Sequence, residues 1–204
     1  MFKNNKMITA LTVTALAAAL ASSGAFAQSG QPFVRGEVGR TSLSDRDASG
    51  KLKDNSFVLR GGYMFNRNFG LEGFYGRYYG KSHRIGSFDN DNTVDGFGIG
   101  AVGKVRFGDY AADTGWFGSG RAGVMRSTYD STVTGDVNGV HVRNSLSTHS
   151  TQPYVGVGVG YDFAPNMGVS VNYDYFRGDA RIPTTSDKVR YNAKTLSAGF
   201  EYRF

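Results

Sequence analysis

The sequence predicts an all-β fold, an eight-stranded antiparallel up-and-down transmembrane β-barrel, and three observations carry that prediction. First, segments of about 9 to 11 residues, the length of a tilted membrane-crossing strand, recur after residue 27 with apolar and polar side chains alternating at the period of two that extended backbone imposes. Second, the chain holds 29 glycines, 15 phenylalanines and 12 tyrosines but only 4 prolines, and its mean hydropathy is negative despite that aromatic content. Such a balance arises when one side of each strand faces lipid and the other a polar interior. Third, the connections between the segments alternate long and short, as an up-and-down membrane barrel requires.

The first 27 residues read as a secretory signal rather than as part of the barrel. Lys3 and Lys6 form a positive start, Met7 to Leu20 is apolar apart from two threonines, and Ala25-Phe26-Ala27 is a small-x-small cleavage site that places the cut between Ala27 and Gln28. The apolar run is shorter than the roughly 20 residues a membrane helix needs. The barrel domain is therefore expected over residues 28–204. There is no cysteine, which removes disulfides, thiolate metal sites and a lipidated cysteine from consideration. Removing the two signal lysines lowers the formal charge from +6 to +4, too little and too scattered for a nucleic-acid partner.

Eight strands follow in order. Phe33 to Thr41 sets Val34, Gly36 and Val38 against Arg35, Glu37 and Gly39, and leads into a polar loop, Ser42 to Asp54. Ser56 to Phe65 sets Phe57, Leu59, Gly61, Tyr63 and Phe65 against Val58, Arg60, Gly62 and Met64, then turns at Asn66-Arg67-Asn68. The third strand sets Phe69, Leu71, Gly73 and Tyr75 against Gly70, Glu72, Phe74 and Gly76 before a loop from Lys81 to Asn92. Asp95 to Phe107 directs Phe97, Ile99, Ala101, Val105 and Phe107 to lipid and Gly98, Gly100, Val102 and Lys104 inward. In the fifth strand, Trp116 to Arg126, an inward Arg121 sends Trp116, Ala122 and Val124 outward; the longest loop, Ser127 to Ser150, comes next.

The sixth strand, Pro153 to Phe163, alternates valine with glycine and turns at Ala164-Pro165-Asn166. Gly168 to Phe176 sets Val169, Val171, Tyr173 and Tyr175 against Ser170, Asn172 and Asp174, and Arg177 to Arg190 forms the last loop. In the closing strand Leu196, Ala198, Phe200, Tyr202 and Phe204 share one face, with Ser197, Gly199, Glu201 and Arg203 on the other. Aromatics gather beside the short turns, so Tyr63, Phe65, Phe69, Phe107, Trp116, Tyr161, Phe163, Tyr202 and Phe204 are expected to form a girdle at one membrane interface.

This terminal strand resembles the closing strand of bacterial outer-membrane β-barrels, and the whole pattern after residue 27 is similar to the small eight-stranded barrels, the OmpA transmembrane domain and the OmpX and Ail group. The resemblance implies a cell outer-membrane location, short periplasmic turns and long extracellular loops. It also implies that Phe200, Tyr202 and above all Phe204 form an assembly signal read by the barrel assembly machinery. With no periplasmic domain after Phe204, a wall-anchoring role is not expected.

Chemical motifs are weaker. Gly98 to Gly103 and Gly118 to Gly123 both match G-x-G-x-x-G, but a dinucleotide loop must open a helix, and here strand alternation runs through both. Asp89-Asn90-Asp91-Asn92 lacks the glycine and closing glutamate of a calcium loop. Enzymatic relatives use a histidine with a serine. The one neighbouring pair, His149-Ser150, would point to opposite faces of a strand, and His83 and His141 stand in polar outer segments. No catalytic residue, metal ligand or cofactor is therefore assigned.

The interior carries a stronger signal. Arg35, Arg60, Lys104, Arg121 and Arg203 are expected to share a narrow lumen with Glu37, Glu72, Asp162, Asp174 and Glu201, paired because isolated buried charge is costly. Eight strands enclose just enough space for side chains, so the lumen reads as a packed polar plug. The function expected is non-enzymatic: envelope integrity and surface interaction through the outer loops, as a monomer in contact with outer-membrane lipid, lipopolysaccharide and host surface or matrix protein. Lys51, Lys53, Lys81, Arg84, Arg181, Lys188 and Arg190 are the loop cations suited to the anionic sugar layer, and Arg177-Gly178-Asp179 is a candidate adhesive tripeptide. A narrow porin-like channel is the alternative from another class, followed by a lipid-modifying enzyme.

Overall fold

Glycine-punctuated alternation leaves a chain of this length one way to shield its backbone in lipid, which is to pair every strand and close the ring. A computed structural model describes residues 30–45, 51–85, 88–107, 113–137, 140–181 and 188–204, and they form that ring. Its strands are β1 (Gln31–Asp45), β2 (Lys51–Met64), β3 (Phe69–Ile85), β4 (Phe88–Phe107), β5 (Gly115–Val137), β6 (Val140–Ala164), β7 (Met167–Arg181) and β8 (Lys188–Arg203). Each pairs antiparallel with its chain neighbour, and β1 closes on β8. The signal segment and its Ala27–Gln28 cleavage site lie outside the described residues.

Followed round the ring, the pairing leads from Phe33 through Gly62, Glu72, Gly100, Gly123, Tyr154, Phe176 and Ala193 back to Leu43, ten residues further along β1. That stagger sets the strand tilt of a closed barrel. Side-chain direction follows the expected parity on every strand as far as the bulge in β3 beyond Arg77. Trp116 and Val124 are exposed on the lipid side of β5 while Arg121 is buried, and Val155, Val157 and Val159 face outward on β6. Short turns close one end. In the first, Asn66 Oδ1 accepts bonds from the amides of Asn68 and Phe69, both at 2.8 Å.

The outer connections are long, as expected, but they are built as hairpin extensions rather than irregular loops. The segment from Ser127 to Ser150 pairs from Ser127↔Ser150 out to Val137↔Val140, and Lys81 to Asn92 pairs within β3 and β4. Both faces of these segments are polar, so the lipid-against-lumen contrast that marks a membrane strand is missing. Their Thr, Val, Ser and Tyr residues still favour extended backbone.

Inside, the filling has two layers. Charged residues occupy the half nearer the short turns. Above them, Val58, Phe74, Tyr78, Tyr79, Val94, Met125, Tyr154, Phe176 and Ala193 pack into an apolar cluster, with Leu43 and Tyr129 against it. The expectation of a packed polar plug thus holds for the lower half, and the upper half is corrected to an apolar layer. A register shift between Arg77 and Tyr79 contributes, because the bulge buries Tyr78 and Tyr79 together.

Candidate functional site

The lumenal charges are placed by strand parity and joined by their own reach. Arg60 on β2 is the hub: Nε lies 3.0 Å from Glu37 Oε1, Nη1 lies 3.0 Å from Glu72 Oε1 and Nη2 lies 3.0 Å from Asp174 Oδ2. Its guanidinium also covers the Phe74 ring at 4.6 Å. Arg121, facing it from β5, donates to Asp174 Oδ1 at 2.8 Å and to Glu37 Oε1 at 3.0 Å. Arg35 stands opposite Arg60 in the ladder, a repulsive placement for like charges. The two guanidinia diverge, and Arg35 donates Nε to Glu201 Oε2 at 2.9 Å, with Nη2 on the same oxygen.

Nearer the short turns a second group forms around Asp162 and Glu201. Lys104 Nζ lies 3.0 Å from Asp162 Oδ2 and 3.3 Å from Glu201 Oε1, and it sits over the Phe117 ring at 3.7 Å. Arg203 Nη2 approaches Asp162 Oδ1 to 2.7 Å as an ion pair without hydrogen-bond alignment. Arg106 Nε adds a bond to Asp162 Oδ2 at 3.1 Å. All ten charges expected in the lumen are buried, and the structure brings them together. Arg106 and the apolar cluster are the additions. Arg106 was readable from parity, since its neighbours Val105 and Phe107 face outward.

The two layers meet at Tyr154, whose hydroxyl donates to Glu72 Oε1 at 2.9 Å while its ring meets Phe74 edge-on at 4.8 Å. Further out, Tyr78 packs edge-on against Phe176 across the lumen at 5.0 Å. Small residues make room for this filling. A Cβ added at Gly98 would come within 2.7 Å of the Phe74 ring, and one at Gly156 within 2.7 Å of Arg121 Nε. Both G-x-G-x-x-G stretches therefore lie in strands, β4 and β5, and the inward glycines serve packing.

The remaining candidates are on the outside. Phe200 is exposed on β8 and Phe204 just past its end, with Tyr202 half-buried between them and its ring 5.0 Å from that of Phe204. Arg177, Gly178 and Asp179 are paired within β7, opposite Asn192, Tyr191 and Arg190, so the tripeptide sits in a strand and not in a turn. Arg177 rests on Tyr175, donating Nε to its hydroxyl at 2.8 Å; the side chains of Gly178's neighbours beyond it lie outside the described residues. Of the loop cations, Lys53 is exposed, and the side chains of Lys51, Lys81, Arg84, Arg181, Lys188 and Arg190 lie outside the described residues. So do those of His83 and His141. His149 is exposed, its Nδ1 3.0 Å from Thr128 Oγ1 across the hairpin.

Comparison with known proteins agrees with this architecture. The chain is 25% identical over 216 residues to an uncharacterised protein of Coxiella burnetii, covering 84% of each. Among solved structures it is similar to Ail, the attachment invasion locus protein of Yersinia pestis, solved in complex with the heparin analogue sucrose octasulfate. The TM-score is 0.56 at 17% identity, over 86% of this chain and 100% of that one. It is also similar to Neisserial surface protein A, with a TM-score of 0.53 at 20% identity over 87% of this chain and 100% of that one. At such identities the likeness is one of fold. Residues 12–204 match the family described as the outer membrane protein beta-barrel domain, and with that span the chain belongs to this family of cell outer-membrane proteins.

Proposed function

We propose that this outer-membrane barrel is non-enzymatic and contributes to envelope integrity and surface contact, by adhesion or by contact with lipopolysaccharide, through its outer hairpins. The observation that carries the reading is the length of β5 and β6, 23 and 25 residues, where about 9 to 11 suffice to cross the membrane. The surplus stands beyond the bilayer, paired and therefore able to present side chains in fixed register. That a barrel of the same fold is solved with a heparin analogue supports anionic polysaccharide as one partner class. The filled lumen argues against the channel alternative, since charged and apolar layers both occupy the path a solute would take.

The test removes Thr132 to Ser145, replacing it with a two-residue Asn-Gly turn. The trimmed protein should insert and keep its heat-dependent gel mobility, while cells carrying it bind heparin-coated or matrix-coated surfaces less well. If all four hairpin extensions are trimmed without change in adhesion, lipopolysaccharide binding or envelope permeability, the proposal fails. Steady single-channel conductance from the intact protein would favour the channel instead.

A further inference from the structure

The lipid-facing surface ends differently at its two rims. At the short-turn end it ends in aromatic rings. At the other end the next outward position beyond the last apolar residue is a cation on five strands: Arg40 after Val38, Arg77 after Tyr75, Arg126 after Val124, Arg177 after Tyr175 and Lys194 after Leu196. All five are exposed, as is Lys53 on β2. Because the ring is staggered, equivalent heights on neighbouring strands are offset along the ladder. Lys194 faces Tyr175, one outward position below Arg177, and Arg40 faces Leu196, one outward position below Lys194. Lys53 faces Ser42, one outward position above Arg40. Four cations thus run across β7, β8, β1 and β2, each about 7 to 8 Å from the next as diagonal neighbours.

The opposite wall lacks this tract. There Arg77 is neutralised by Asp95, Nε to Oδ1 at 3.0 Å. Among the outward-facing side chains of β7, β8, β1 and β2 that are described there is no carboxylate; Asp179, two residues beyond Arg177 at the outward parity, has its side chain outside the described residues. Arg177 is also held in place: its Nε is bonded to the Tyr175 hydroxyl, and that hydroxyl donates to Asn192 Oδ1 at 3.1 Å. The terminal guanidinium nitrogens are then the donors left for a ligand, and a guanidinium suits phosphate oxygens.

We propose that Arg177, Lys194, Arg40 and Lys53 form a docking site for a glycolipid of the outer leaflet whose headgroup carries more than one phosphate. The proposal rests on the lipopolysaccharide-contact reading above and moves that contact from the hairpins to one wall at the membrane surface. Acyl chains of the same lipid would lie along the apolar outward residues below the tract, Tyr173, Leu196, Val38 and Phe57. Spacing over four strands selects a multiply phosphorylated headgroup over a single phosphate.

The experiment uses the folded full-length protein in zwitterionic nanodiscs and measures binding of bis-phosphorylated lipid A, of the same lipid A with both phosphates removed, and of inorganic phosphate. The bis-phosphorylated form should bind and the other two should not. A surface cation acts on anionic headgroups with a strength worth about 5-fold in affinity, so Arg40→Gln with Lys194→Gln should weaken binding on the order of 25-fold, and adding Lys53→Gln and Arg177→Gln on the order of 600-fold. Arg40→Lys with Arg177→Lys should keep most of it, and Arg77→Gln should leave it unchanged. Heat-dependent gel mobility confirms that each variant is folded, and the double variant decides the matter if the quadruple variant does not fold. Unchanged binding by the double variant, or equal binding of the dephosphorylated lipid, overturns the proposal. If binding survives in the charge variants but is lost on trimming Thr132 to Ser145, the four-cation site fails and the hairpin reading stands; if neither change matters, both fail.

Discussion

Replacing Arg60 with methionine tests whether ion pairing holds the lumen together. Arg60 is 1% exposed and touches Glu37, Glu72 and Asp174. After its loss Glu37 keeps Arg121 and Arg35, and Asp174 keeps Arg121. Glu72 keeps only the Tyr154 hydroxyl among its described partners. Methionine fills most of the vacated space, so the dominant cost is a buried carboxylate without its cation, about 3 to 5 kcal/mol. Glu72→Gln removes the charge but leaves an acceptor, and should cost about 1.5 to 3 kcal/mol. In the double variant the orphaned charge is gone, so the cost should fall short of the sum by about 1 to 3 kcal/mol. Urea unfolding of protein inserted in lipid vesicles measures this. Trp116, the one tryptophan, lies on the lipid face at 63% exposure and reports insertion through its emission. A loss below about 1 kcal/mol for Arg60→Met, or additivity within about 0.5 kcal/mol, would refute the reasoning.

Because every strand is paired round the ring, unboiled and boiled samples in SDS should migrate differently, and identical mobility of natively inserted protein would count against closure. Deleting Phe204 should lower outer-membrane levels far more than refolding into detergent, since its ring is exposed just past the end of β8; equal losses would leave it a packing role alone. Gly98→Ala should destabilise by about 1 to 3 kcal/mol through overpacking against Phe74. Gly120→Ala, whose added Cβ meets nothing within 4 Å, should be neutral or gain up to about 1 kcal/mol; a matched loss at both sites in chemical denaturation would contradict the assignment of faces.

The membrane portion was legible because lipid and lumen impose opposite demands on alternate residues. Even β5, with glycine and serine at several positions, is fixed by the pair Trp116 outward and Arg121 inward. The ten network charges could be assigned for the same reason, but not their partners: the ladder sets Arg35 against Arg60, and only side-chain geometry shows that they share Glu37 while Arg35 turns to Glu201 and Arg60 to Glu72 and Asp174. The apolar layer was hidden because an inward Phe74, Tyr154 or Met125 breaks no alternation and carries no charge to announce a role. The hairpin extensions were hidden because both faces carry polar residues, Asp130, Thr132 and Thr134 on one and Ser127, Ser131 and Thr148 on the other, so no contrast marks their strands. Tyr79 was unreadable for a third reason: odd positions of β3 face outward, but the bulge between Arg77 and Tyr79 shifts the parity on which any sequence reading depends and turns Tyr79 inward.

The same solvent boundary that made half of each strand readable also explains how the wall is divided. Within hydrocarbon an unpaired amide or carbonyl costs several kcal/mol, so all eight ladders must be complete. Beyond it water satisfies the backbone and that demand ends. Among the described residues, the β2/β3 ladder stops at Phe57↔Arg77 and the β6/β7 ladder at Tyr154↔Phe176, while the other ladders continue outward. The outer part therefore separates into two four-stranded sheets, β3 to β6 and β7 to β2. One seam is pinned at its base by Gly80 N donating to Asp54 Oδ2 at 2.8 Å, and the lumen between the sheets is filled by Tyr78 against Phe176. Changes in hairpin sequence then alter what each sheet presents without disturbing the closed ring below, because the described partners of Arg60 and its carboxylates, among them Arg35, Arg121 and Tyr154, all lie within the ring.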